Sequence, residues 1–197
     1  ELAAYDAALA TIGPEKLQPG DSWVSSVVAW QFGSFYQFEE WFNDFNPFGI
    51  SCAFYIVALV IALLAGLGFT PAMNRTAFWL IVFTFALHTC ALIGRIYISG
   101  RPPVTNLYSS AVFIGWACVF FGIIIELLFR LGIGNLVATL SGFPTLLIAS
   151  ALAADGDTYT VLVAVLDTQF WLTTHVVIIT LGYAATFLAG ALGIIYI

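Results

Sequence analysis

Residues 48–70 read FGISCAFYIVALVIALLAGLGFT, a stretch without a single charge. A hydrocarbon core about 30 Å thick is crossed by about 20 mostly apolar residues in helical form, so this segment alone is long enough to span a bilayer. Inside lipid its backbone N–H and C=O groups would find no water. They must be satisfied within the segment, which selects a helix over an isolated strand. The same reading repeats along the chain, and spans are predicted at about 48–70, 76–97, 104–129, 131–154 and 168–197. The fourth carries Asn135 and Pro144, and the fifth is longer than a crossing requires, so it tilts or protrudes. The expected fold is therefore all-α: a polytopic transmembrane helix bundle of about five spans, with an N-terminal interfacial helical segment.

Composition supports this from another side. Hydrophobic residues make up 61% of the 197 residues and charged residues only 8%, whereas a soluble domain carries about 25% charged residues. Seven of the eleven acids lie before residue 46, so the net charge of −6 belongs to the loops. The five Lys and Arg residues are spread singly, which excludes a basic nucleic-acid face. Cys52, Cys90 and Cys118 sit in apolar runs without a C-x-x-C pair and read as small core residues. The chain starts on Glu1 without a short apolar leader and stops within the apolar run Ile194–Ile197, so it reads as a piece of a longer protein.

Punctuation sets the boundaries. Asn46-Pro47 precedes the first span and Thr70-Pro71 is expected to end it. Gly100-Arg101-Pro102-Pro103 makes a stiff loop, because proline neither continues a helix nor favours one just before it. Asp155-Gly156-Asp157 breaks the chain after the fourth span. Residues 1–46 form a separate juxtamembrane segment and residues 47–197 the membrane domain. From Trp23 to Phe45 aromatics alternate with Glu39, Glu40 and Asp44, a pattern suited either to the membrane–water interface or to packing on a soluble neighbour.

Candidate chemistry is sparse. Both histidines, His88 and His175, lie in apolar spans, where an ionisable residue is costly and marks a functional hypothesis. His88 is expected near mid-membrane, about 18 Å along its span at 1.5 Å per residue. His175 is about two turns into the fifth span, with Trp171 four residues earlier on the same face. A neutral imidazole is a good haem-iron ligand, but each histidine also suits plain helix packing. Arg95 and Arg101 flank the proline loop, which runs on into Asn106 and Tyr108. Fixed cationic and hydrogen-bonding groups of this kind suit a carboxylate ligand; helix-end anchoring is the simpler alternative. Glu126 and Arg130 are spaced for a structural i,i+4 pair. Alternating spans put Arg75 and Arg130 on one side and Arg95 and Arg101 on the other, so the positive-inside rule gives no orientation.

Two stretches carry a resemblance. Residues 94–116, GRIYISGRPPVTNLYSSAVFIGW, match an arginine followed by the pattern G-[RH]-x-P-x-[ST]-N-x-Y-[ES]-S. Residues 170–176, FWLTTHV, followed by Tyr183, match a W-L-x-x-H-V helix. Both resemble the cytochrome c assembly family, CcsA (ResC) type, over about residues 46–197. The resemblance implies a protein that receives haem b at the outer face of an energy-transducing membrane and supports its thioether attachment to the C-x-x-C-H of apocytochrome c, alongside a CcsB/ResB-like subunit or fused half. It makes His175 the candidate iron ligand; Trp171, Arg95, Arg101 and His88 are further haem-binding candidates from the residues themselves, and the resemblance assigns His88 no role. It also faces Arg95, Arg101 and His175 toward the periplasm of a bacterial inner membrane.

Two departures narrow this. The family's tryptophan-rich segment and its second outer histidine do not occur here, and Ser109 stands where many relatives have Glu. Within the superfamily, a CcmF/NrfE-type haem lyase or a CcmC-type haem-handling protein is the alternative; of another class, a haem-free membrane scaffold or transporter.

Overall fold

A computed structural model describes residues 37–68, 71–154 and 169–196. The expected interfacial segment up to residue 36, the acidic linker after Ala154 and the start of the fifth span lie outside the described residues. Residues up to Phe45 and residues from Asn46 onward form two compact units. In the first, residues 37–45 are helical, with the Trp41 and Phe45 rings stacked at 5.3 Å.

The described residues of the second unit form five helices: α1 (Pro47–Gly66), α2 (Pro71–Ser99), α3 (Leu107–Phe129), α4 (Ile133–Ala154) and α5 (Gln169–Tyr196). Among the described residues five helices are long and apolar enough to cross a membrane, and the chain is an integral membrane protein. α1 begins where Asn46, at φ 40°, accepts the Gly49 N–H on its side chain at 3.2 Å, with Pro47 in the first turn. A proline there gives up only a hydrogen bond that the helix start leaves unmade.

The same rule corrects one boundary. Pro71, expected to end the first span, is the first residue of α2, which therefore starts ahead of the predicted residue 76. α2 has 29 residues, about 43 Å at 1.5 Å per residue. It carries Arg75 and Arg95 within one helix, about 30 Å apart along its axis, which is the thickness of a hydrocarbon core.

The most extensive contact joins α3 and α4, followed by α1 with α2 and α1 with α4, while α5 leans mainly on α3. Helices in lipid gain little from hydrophobic burial against one another, so close packing depends on small residues. A Cβ built on Gly122 would stand 2.7 Å from the Ala138 Cβ, and one on Gly134 would stand 2.6 Å from the Gly122 carbonyl oxygen. Both contacts are too short for any side chain, so these two glycines set the α3–α4 distance. The chain reverses between the helices in three residues, helped by positive φ at Arg130 (54°) and Gly132 (80°). α5 is the least enclosed helix; Phe187, Tyr183 and Ile194 on it face outward.

Candidate functional site

The loop between α2 and α3 is held at both ends. Gly100, at φ 59°, closes α2 by donating its N–H to the Ile96 carbonyl at 2.9 Å, the left-handed helix end that glycine reaches without penalty. At the other end Asn106 caps α3. Its side chain accepts the Ser109 N–H at 2.8 Å, and Ser109 Oγ accepts the Asn106 N–H at 2.9 Å. This reciprocal pair is a capping box. Ser109 Oγ also takes the Thr105 N–H at 2.8 Å. Asn106, read from sequence as part of a carboxylate-binding cluster, thus holds the loop shut together with Ser109. A Glu at this N3 position would serve the same box.

The fixed loop encloses a cavity of about 320 Å³ whose walls include Arg95, Ser99, Arg101, Pro102, Pro103 and Ser109. The two arginines singled out in the sequence therefore share one pocket. They are not equivalent. Arg101 lies exposed on the loop, whereas Arg95 is only 8% exposed and its guanidinium carbon sits 4.4 Å over the Tyr108 ring. Such a cation–π contact strengthens as water is removed. Arg95 is therefore a pocket residue rather than a surface anchor.

Tyr108 leads inward. Phe48 meets its ring edge-on at 6.4 Å and meets His88 edge-on at 5.9 Å. His88 is fully buried, with Nδ1 3.4 Å from the Tyr55 hydroxyl. Its Nε2 makes no hydrogen bond of regular geometry, although the Val112 backbone lies in electrostatic reach of the ring. A continuous aromatic contact thus runs from the arginine pocket to His88. Along α2 His88 stands within about 5 Å of the midpoint between Arg75 and Arg95. It lies about 10 Å from Arg95 and about 20 Å from Arg75 along the helix.

His175 and Trp171 occupy a different surface. Both are exposed on α5, Trp171 at 63%, and neither lines the arginine pocket or touches His88. Their height is fixed by packing lower down, where Cys118 Sγ of α3 donates to the Ala184 carbonyl of α5 at 3.6 Å. With each helix crossing once, α3 and α5 run the same way. Counting back equally from Cys118 and Ala184 reaches Ser109 and His175, so the imidazole stands level with the pocket wall.

The opposite end of the bundle holds a polar network that sequence reasoning missed. Glu126 is only 6% exposed. Its Oε1 accepts from Asn74 Nδ2 at 3.0 Å and from the Gly132 N–H at 3.1 Å. Asn135 donates to the Asn74 side chain at 2.7 Å and to its carbonyl at 3.1 Å. The expected Glu126–Arg130 pair does not form. Arg130 caps α3 in the left-handed conformation, which takes its side chain off the helical face that i,i+4 pairing requires. The one sequence signal for this network was a pair of asparagines in or beside apolar spans with an acid at a span end.

No family model matches the chain. It is similar to protein NrfI of Wolinella succinogenes, 33% identical over 154 residues, covering 75% of this chain and 17% of that protein. It is similar to cytochrome c biogenesis protein CcsA of a Synechococcus strain, 30% identical over 155 residues, covering 76% of this chain and 51% of the relative. The CcsA of Oenothera glazioviana is 33% identical over 109 residues, covering 53% of this chain and 33% of the relative. The chain thus spans from about a sixth to about half the length of these relatives.

Proposed function

The chain belongs to the CcsA family of cytochrome c biogenesis proteins, and from that membership we propose that it handles haem for attachment to apocytochrome c. In this reading His175 would hold the iron of haem b through its imidazole. Trp171, one turn earlier on the same face, packs against the macrocycle, while Arg95 and Arg101 receive the propionates. The site faces the periplasm of a bacterial inner membrane, and a CcsB/ResB-like subunit or fused half completes the assembly.

The observation that carries the reading is the one pocket that Arg95 and Arg101 share. Haem is a flat apolar ring with two carboxylates at one edge and an iron that takes neutral imidazole. The residues present fit each part. An exposed imidazole stands on an apolar helix beside an indole, and two guanidinium forks line a rigid cavity level with it. Arginine pairs with carboxylates through two parallel hydrogen bonds, and the Tyr108 ring already orients one of the two. Bound haem supplies the vinyl groups to which the cysteine thiols of C-x-x-C-H add. The chain's own residues hold and orient, and the capping box keeps the loop from opening. His88, closed in behind Phe48, is the inner haem-binding candidate and is linked to Tyr108 through the Phe48 ring.

The test uses the full-length protein. His175→Gly loses the Soret absorption of the purified protein and abolishes cytochrome c maturation, and added imidazole restores the spectrum. An unchanged spectrum with undiminished maturation would mean that His175 is a packing residue and would favour a haem-free scaffold.

A further inference from the structure

The two arginines of the outer pocket stand in different media. The cavity, about 320 Å³, lies at the lower end of small-ligand sites, about 300–1,000 Å³. A tetrapyrrole, with its linked pyrrole rings and their substituents, does not fit inside; one edge of it does. Among the described residues the lining carries two cations and no acid, so it matches two carboxylates. Leu92, Ile96, Pro102 and Pro103 are its apolar part, and a proline has no N–H to offer an anion. Anion binding therefore falls to the side chains. Arg95 is buried, with its guanidinium 4.4 Å over the Tyr108 ring. A guanidinium carries several N–H donors in a planar fork, so Arg95 serves the ring with its face and a carboxylate with its edge. Arg101 is exposed on the loop, where its backbone N–H donates to Ser99 Oγ at 3.3 Å.

We propose, resting on the haem reading above, that this pocket reads the two propionates unequally: Arg95 requires one free carboxylate, and Arg101 accepts the other as an accessory. The substrate class is then a tetrapyrrole with free carboxylates side by side on one edge, of which one is indispensable. Arg95 is the specificity-determining residue. A charge-assisted bond to a desolvated guanidinium is strong, and an ester in its place leaves a desolvated cation facing a neutral group. An ion pair on exposed Arg101 competes with water and is worth little. Haem adds a symmetry of its own. Turning the ring over about the in-plane axis between its propionates exchanges them, so either one reaches Arg95. A haem with one propionate esterified therefore keeps its remaining carboxylate on Arg95 and places the ester at Arg101, whichever propionate was esterified. The first ester weakens binding slightly and the second weakens it strongly. Two equivalent arginines would give two equal steps.

The experiment measures the rate at which haem, its two monomethyl esters and its dimethyl ester leave the purified full-length protein for an excess of empty micelles, followed in the Soret band. Loss is first order in the complex, so the greater micelle solubility of the esters does not enter. Both monoesters leave at most about fivefold faster than haem, and the dimethyl ester leaves a further ten- to hundredfold faster. Arg101→Gln, on the exposed loop, abolishes the first step and keeps the second. Arg95→Gln brings the second step down to about fivefold or less. Two equal steps in the wild-type protein, or a first step larger than the second, overturn the proposal without any variant and leave the haem reading standing. A full-length protein that holds no haem overturns the haem reading and this proposal with it. Unequal steps that survive in His175→Gly, with haem lost at the wild-type rate, uphold the pocket and remove His175 from the site.

Discussion

Removing the charge of Arg95 is the sharpest probe of the outer pocket. The guanidinium is nine-tenths buried and lies 4.4 Å over the Tyr108 ring. Two contributions are lost in Arg95→Gln. A hydrogen bond to a charged group is worth about 1.5–3 kcal/mol, and a largely desolvated cation–π contact about 2 kcal/mol. The second holds the side chain in place whether or not a ligand is present, so only the first appears fully in ligand retention. The expected effect is about ten- to hundredfold faster haem loss. The readout is transfer of haem from the purified full-length protein to an excess of a haem-scavenging apoprotein, followed in the Soret band. Tyr108→Leu removes the ring that orients Arg95 but leaves the charge, and it accelerates loss by a smaller factor. In the double variant Tyr108→Leu adds nothing further, because the ring acts through the guanidinium. Arg95→Lys falls between, since an ammonium lacks the planar fork. Haem loss at the wild-type rate in Arg95→Gln, or strictly additive effects of Arg95 and Tyr108, would refute the assignment of Arg95 to the propionates.

Two further outcomes concern the frame. Ser109→Ala leaves the Thr105 and Asn106 amides without their acceptor and is expected to lower stability by about 1–3 kcal/mol, whereas Ser109→Glu keeps the box and most of the stability; thermal unfolding midpoints in detergent separate the two. Gly122→Val forces α3 off the Ala138 backbone at an overpacking cost of about 1–3 kcal/mol, and a midpoint equal to wild type would show that the helices do not approach as closely as described.

The spans were legible because a membrane sets their length and forbids charge, and both constraints act residue by residue along the sequence. Pro71 was misread because proline stops one helix and starts another with the same chemistry; which of the two it does depends on where the next turn packs. The pairing of Arg95 with Arg101 followed from a short stiff loop and needed no tertiary knowledge. The burial of Arg95 did not follow, because Tyr108 reaches it from another helix. The inner network was illegible for a related reason. Asn74 is 52 residues from Glu126 and 61 from Asn135 in sequence, and nothing periodic announces that three helix ends meet. Arg130 shows the limit of spacing rules: four residues from Glu126 is a pairing distance only if the helix continues through both, and here it ends at Phe129.

The arginine pocket and the Glu126 network both hang on α2, and this constrains the helix more tightly than the membrane does. A bilayer tolerates a span a few residues longer or shorter through tilt and local thinning, at modest cost. The two ends of α2 tolerate far less. At one end Asn74 must meet Glu126 and Asn135; at the other Arg95 must lie over Tyr108. Successive residues on a helix are turned by about 100°, so one residue more between Asn74 and Arg95 would swing the guanidinium off the ring while leaving the inner network intact. The interval between the two arginines is thus set by rotation as well as by length. Together with the small-residue contact of α3 and α4, it fixes the outer pocket, and His88 behind it, against the opposite end of the bundle.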